Sequence, residues 1–207
     1  MPDRKYCQWL ALLFFLTPWA IAADDRTSHL LLESSHGDIM IELNPQRAPL
    51  TVENIVTHAR EGFYDGLIFH RVIEDFVIQT GGYDADFQSR SSESTVHNES
   101  GNGLSNQRGT VALARGDDPH SGSAQFYINL DDNERLDPSR ARWGYAVFGR
   151  VVHGMETVET IGALPTEARG GLRSDVPEEN VIIEKVEAMD RSMAFEWLDE
   201  QERGQEE

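Results

Sequence analysis

The chain has 207 residues, with 18 Lys plus Arg against 36 Asp plus Glu, for a net charge of −18. Such a surface repels phosphate, and no basic stripe with interleaved aromatics appears, so nucleic acid is not expected as a partner. Cys7 is the only cysteine, which leaves no disulfide framework to read.

The opening MPDRKYCQ carries Arg4 and Lys5 and runs into the apolar stretch WLALLFFL and then TPWAIA. This predicts a secretory signal peptide over 1–22, with Ala20-Ile21-Ala22 as an A-x-A cleavage site. The apolar run is short for a membrane span, so no stable membrane insertion is expected after cleavage. A linker over 23–28 follows, and the remaining chain of about 185 residues suits one domain with a core of ordinary size. An exported chain without cysteines fits a bacterial periplasm better than a small disulfide-stapled scaffold, and a monomer is expected.

Beyond His29 the sequence reads as short strands. LLLE at 30–33 and IMIEL at 39–43 form a hairpin signal across Ser34-Ser35-His36-Gly37-Asp38. Ile39, Ile41 and Leu43 share one parity, so that face should be buried. Thr51 is placed to cap a helix over VENIVTHARE, where Val52, Ile55, Val56 and Ala59 recur at helical spacing and Gly62 supplies the stop. Further strand-like runs are IFHRVI at 68–73, FVIQT at 76–80, TVALA at 110–114, AQFYINL at 124–130, YAVFGRV at 145–151 and VIIEKVE at 181–187. A second short helix is predicted over Met155 to Ile161. Eight strands that do not alternate with helices favour an antiparallel barrel or sandwich over a doubly wound sheet.

Two long stretches lack periodicity: Tyr83 to Arg108 and Ala163 to Asn180. Loops of that length carry binding roles or disorder. After the last strand, an acidic extension over 190–207 contains Ala194, Trp197 and Leu198, which could dock one helical turn.

The most informative segment is FHRVIEDFVIQTGG at 69–82, because it sets Arg71 among Phe69, Val72, Ile73 and Phe76. A guanidinium is permanently charged, with five donors in a fixed fork, so placing it among apolar neighbours needs a polar recipient. A substrate group would serve. A structural ion pair with Glu74 or Asp75 is the plainer account of an arginine read alone.

Together with RGTVALAR at 108–115, GSAQFYINL at 122–130, RLD at 135–137 and YAVFGRVVHGM at 145–155, this segment resembles the cyclophilin family of peptidyl-prolyl cis-trans isomerases. The likeness runs from about His29 to Ala188, and with the leader it is most similar to the periplasmic A-type of bacteria. It implies a mainly β domain over 29–189: a closed eight-stranded antiparallel β-barrel capped by two α-helices, with the substrate groove on its outer face. It further implies catalysis by Arg71, oriented by Gln79, and a substrate site made of Phe76, Val77, Ala114, Arg115, Gln125, Phe126, Tyr127, Leu136 and Tyr145. Proline-containing unfolded or extended chains would be the partners, with no cofactor and no metal. A non-catalytic periplasmic chaperone or peptide-binding module on the same barrel is the alternative reading.

Three positions depart from the pattern. Tyr127 stands where many relatives have phenylalanine, so a hydroxyl enters the wall and needs a partner. Arg135 occupies the place of the tryptophan that grips cyclosporin in sensitive members, so weak cyclosporin binding is expected. Tyr145 replaces a histidine of the eukaryotic members. None of the seven histidines shows metal-ligand spacing, and His70, of opposite parity to Arg71, is expected to hydrogen bond within the barrel rather than act as a base.

Overall fold

The computed structural model describes residues 27–205. The predicted signal segment 1–22 and residues 23–26 lie outside that range. Strands β1 (Thr27–Ser34), β2 (Gly37–Leu43), β3 (Arg71–Ile73), β4 (Val77–Thr80), β5 (Thr110–Leu113), β6 (Phe126–Asn129), β7 (Val147–His153) and β10 (Ile183–Asp190) form one sheet. Their order is β10-β1-β2-β7-β5-β6-β4-β3, antiparallel throughout. Each of the eight strand-like runs in the sequence becomes one of these strands. β1 begins at Thr27, two residues inside the stretch assigned to the linker.

The sheet curls but stays open, which corrects the expectation of a closed barrel. β3 is only three residues long, and its Val72 N–H donates to the Asp175 carbonyl at 2.7 Å rather than to a strand of the far edge. Asp175 belongs to the loop expected to lack structure, which instead carries a small ribbon of β8 (Thr166–Glu167) and β9 (Val176–Pro177). That loop takes a bond that ladder closure would use. The seam toward β10 is spanned by the isolated bridge Ile68↔Ile182 and by single bonds such as Phe69 N–H to the Val181 carbonyl, 3.0 Å.

Strand parity sets the core. Leu30, Leu32, Ile39, Ile41, Ile78, Val111, Ile128 and Phe148 point to the inner face and are essentially inaccessible to solvent. Burying side chains of this size contributes about 1.5–3 kcal/mol each before the entropy of ordering them is subtracted. Helix α1 (Pro49–Arg60) turns Val52, Ile55, Val56 and Ala59 into this core, and α2 (Met155–Gly162) adds Val158 and Ile161.

Thr51 does not cap α1. The helix starts earlier, at Pro49, whose fixed φ and missing N–H suit a first turn. Its free amides are met from a distance: the Glu99 carboxylate accepts from Leu50 N–H at 3.1 Å, Thr51 N–H at 2.9 Å and the Thr51 hydroxyl at 2.7 Å. A carboxylate there also complements the positive end of the helix dipole.

A third helix, α3 (Arg191–Gln205), replaces the single turn expected after the last strand. Ala194 is fully buried and Trp197 partly so, against Leu31, Met40 and Met189. The outer face of β1 and β2 is thus covered here, whereas alternation alone predicted burial of one face only. Among the described residues no helix is long and apolar enough to cross a membrane.

Candidate active site

Register places the central polar residues in one row. Arg71 on β3 lies opposite Gln79 on β4, Gln79 opposite Tyr127 on β6, and Tyr127 opposite Ala112 on β5. Residues directly opposite across a ladder share a face, so the row projects from the outer side, while Val72, Ile78, Ile128 and Val111 form the matching inner row. A slip of one residue would bury the arginine and expose the valine.

The Arg71 Nη1–H donates to Gln79 Oε1 at 3.4 Å, and Gln79 Nε2–H donates to Gln125 Oε1 at 2.9 Å. The two amides form a relay that orients the guanidinium and leaves its other donors available. The ion-pair partner of Arg71 is neither Glu74 nor Asp75 but Asp175, at 3.9 Å from Nε, with both side chains about 38% exposed. A pair this long and this wet contributes about 0–1 kcal/mol, too little to explain the placement of the arginine.

The closing Gly81-Gly82 makes room for the relay. A Cβ at Gly82 would sit 2.7 Å from Gln125 Nε2, and one at Gly81, whose φ is +90°, would sit 2.7 Å from the Ala124 carbonyl oxygen. Any side chain there would displace Gln125 and the segment that leads into β6.

Beside this polar row lies a groove of about 330 Å³ lined by Arg71, Phe76, Val77, Gln79, Ala114, Arg115, Tyr127, Leu136 and Tyr145. Its rings are mutually braced, with Tyr127 and Tyr145 edge to face at 5.8 Å. A larger depression of about 970 Å³ between β2, β7 and the loop at 103–107 has no aromatic ring in its wall, and its Arg150 is paired with Glu42 at 2.8 Å. Of these two, the smaller groove pairs an apolar box with a guanidinium that has donors to spare.

The Tyr127 hydroxyl finds its partner in the protein, donating to Asn106 Oδ1 at 2.8 Å. Asn106 is fully buried; its N–H and its Nδ2–H both donate to Asp137 Oδ1 at 2.8 Å, and its carbonyl accepts from Asn133 N–H at 2.7 Å. Asn133 Nδ2–H in turn donates to the Phe76 carbonyl at 2.9 Å. Burial pushes the Asp137 carboxyl up, but hydrogen bonds from Ser105 and Asn106 outweigh it and hold the group below the usual carboxylate range. Burial pushes the Tyr127 phenol far above its ordinary value, so it stays neutral and acts as a donor.

His70 is buried beside Tyr83, ring centroids 5.0 Å apart, and its Nδ1 has no hydrogen-bond partner. Burial lowers it to about 4, against upward pulls from the Ile68 backbone and the Gln125 side chain. It is neutral at physiological pH and stands behind the relay rather than in the groove. Among the described residues no group of three His, Cys, Asp or Glu is placed to hold a metal ion.

Residues 29–188 match the family described as cyclophilin type peptidyl-prolyl cis-trans isomerase. The chain belongs to the cyclophilins. It is 47% identical over 156 residues to peptidyl-prolyl cis-trans isomerase B of Escherichia coli K12, covering 74% of this chain and 94% of that protein. It is 43% identical over 165 residues to peptidyl-prolyl cis-trans isomerase A of Dickeya dadantii, covering 80% and 86%. A crystal structure of a Cryptosporidium parvum cyclophilin-type isomerase in the presence of the dipeptide Ala-Pro superposes with a TM-score of 0.64. That superposition covers 79% of this chain and 99% of the other at 22% identity, a likeness of fold.

Nine of the residues expected at the cyclophilin site line the groove, and Gln125 reaches it through Gln79. Phe126 does not. It alternates with Tyr127 on β6 and points into the core against Tyr64 and Phe148, ring centroids 5.5 and 6.3 Å away. Parity alone could have excluded it. Sequence reasoning missed Asn106 and Asp137, one in a stretch without periodicity and the other read only as part of RLD.

Proposed function

We propose that Arg71 is the catalytic residue of a peptidyl-prolyl cis-trans isomerase that acts on extended, proline-containing chains in the groove of Phe76, Val77, Tyr127 and Leu136. The observation that carries this reading is the shared row of Arg71, Gln79 and Tyr127 beside an apolar box. An X-Pro bond resists rotation by about 18–20 kcal/mol because amide resonance is lost in the twisted state. No covalent bond need form or break. The catalyst has only to bind the twisted amide better than either planar form.

The apolar walls desolvate and hold the pyrrolidine ring. The Arg71 donors, aimed by Gln79, hydrogen bond the prolyl carbonyl and oppose delocalisation of the prolyl nitrogen lone pair as the bond turns. Because the donors are already positioned, little reorganisation is needed at the moment of rotation. In the groove wall the Ala114 N–H is taken by the Gln125 carbonyl at 2.9 Å, so a main-chain clamp on an extended peptide falls to the remaining backbone groups of Ala114 and Arg115. NMR exchange on a short X-Pro peptide tests the assignment: Arg71→Ala should lose most of the catalysed exchange, and retained exchange overturns it.

The same proposal extends to location and ligands. The segment 1–22 supports export to a periplasm as an A-type protein, with 29–189 as the isomerase domain and clients among exported chains. Cell fractionation and N-terminal sequencing of the product check this, and an uncleaved cytoplasmic product rejects it. Arg135 in place of a tryptophan supports weak cyclosporin binding, which a submicromolar dissociation constant would contradict. A monomer is proposed, checked by sedimentation.

A further inference from the structure

The groove of this strongly acidic chain is rimmed by arginines. Arg71, Arg115 and Arg135 surround it, and no carboxylate lines it. Arg135 lies over the Phe76 ring at 4.1 Å, and Arg71 approaches the same ring at 5.9 Å. Arg115 lies over Tyr145 at 4.8 Å. Two walls of the aromatic box thus each carry a stacked guanidinium.

Neither added charge is neutralised. Among the described residues, Arg115 and Arg135 have no carboxylate within ion-pair distance. Arg115 is half-buried and held by three carbonyl oxygens: Gly116 at 2.8 Å, Trp143 at 3.0 Å and Gly144 at 3.3 Å. Carbonyls fix its orientation and leave its charge in place. Of the nearby acids, Asp175 lies 3.9 Å from Arg71, and the others are engaged or turned away. Asp137 is bound to Ser105 and Asn106, and Glu74, Asp75 and Glu134 are exposed and unpaired with these arginines. Arg142 adds a further cation in the same loop, its Nη2–H donating to the Arg135 carbonyl.

Like charges gathered around one box, pre-oriented by stacking and by carbonyls, are relieved by an incoming anion. A cleft lined by one sign of charge concentrates the opposite sign. The overall charge of −18 acts through solvent and fades beyond a Debye length of about 8–10 Å, whereas the rim acts at contact. We infer that Arg115 and Arg135 are specificity residues that make this groove prefer prolines flanked by glutamate or aspartate over prolines flanked by lysine. The inference rests on the proline-peptide site proposed above.

The test is kcat/KM, by NMR exchange, for three otherwise identical peptides with Glu, Ala or Lys at the two positions flanking the proline. At low salt the Glu peptide should exceed the Lys peptide by about fivefold, the worth of one favourable exposed ion pair. The ratio should shrink toward one in about 1 M salt, where the Debye length is about 3 Å. In the double variant Arg115→Gln, Arg135→Gln the ratio should fall to near one, and a ratio reads preference whatever happens to overall rate. Should that variant not fold, the salt dependence of the unaltered chain decides. Equal turnover of the Glu and Lys peptides, or a preference that survives in high salt, overturns the inference alone. No turnover of any peptide overturns the isomerase site as well.

Discussion

On the β3–β4–β6 side of the groove, backbone ladders place Arg71, Gln79 and Tyr127, and the side chains need no further support to share a face. On the other side, the segments around 104–106 and 133–145 run without strands, and the buried Asn106, Asn129 and Asn133 hold them together with the half-buried Asp137. Function and stability are therefore divided between the walls. Removing the guanidinium from the ladder side should cost chemistry, while removing one of the buried amides from the loop side should cost folding.

The largest test of this division is Arg71→Ala, which should lower kcat/KM by about a hundredfold or more, the worth of a preorganised donor, with the urea midpoint unmoved. A midpoint that falls with activity would make the arginine structural and erase the contrast. His70 probes the ladder side from behind. Its folded value of about 4 lies below the ordinary 6.5, so the folded state resists a proton that the unfolded state accepts as pH falls through that window. Its contribution is complete above about pH 6.5 and is lost on the way down to about pH 4, about 3 kcal/mol in all. Urea unfolding at pH 7 and pH 4.5 should show His70→Gln losing less stability on acidification than the parent; parallel losses would refute this.

On the loop side, Asn106→Ala leaves the Tyr127 hydroxyl and Asp137 without their buried partner, at a cost of about 1–3 kcal/mol. Denaturant curves should shift accordingly while the folded fraction keeps measurable exchange activity. Abolished activity in a stable protein would show that the loop wall is also chemical. The smallest effect sharpens the ladder side: Gly82→Ala crowds Gln125, loosens the relay to Arg71, and should reduce kcat/KM by about fivefold to tenfold with a stability loss near 1 kcal/mol. An unchanged rate would mean that Gln125 does not orient the arginine.

The same division explains what could be read from the sequence. Ladder residues follow from period-two alternation and one distinctive segment, so all eight strands and the Arg71–Gln79 row were legible in FHRVIEDFVIQTGG and its companions. Phe126 was misplaced because a motif names neighbours together while a pleat sends them to opposite faces. Asn106, Asp137 and Glu99 act through contacts made dozens of residues away, and nothing periodic announces them. The open seam is hidden from the sequence for a related reason. The bond from Val72 to Asp175 depends on a loop with no hydrophobic pattern. α3 runs longer than its sequence announces because its contact rests on Ala194 and Trp197 within an otherwise acidic segment.

Glu99 gives the long loop after Tyr83 a second meaning. By gripping Leu50 and Thr51, it divides one wide excursion of chain into two shorter ones, and short closed segments have less conformational entropy to lose. The first turn of α1 thereby serves as an anchorage for the segment that delivers Asn106 to the back of Tyr127. A carboxylate outside the groove thus helps hold one of the groove's walls in place.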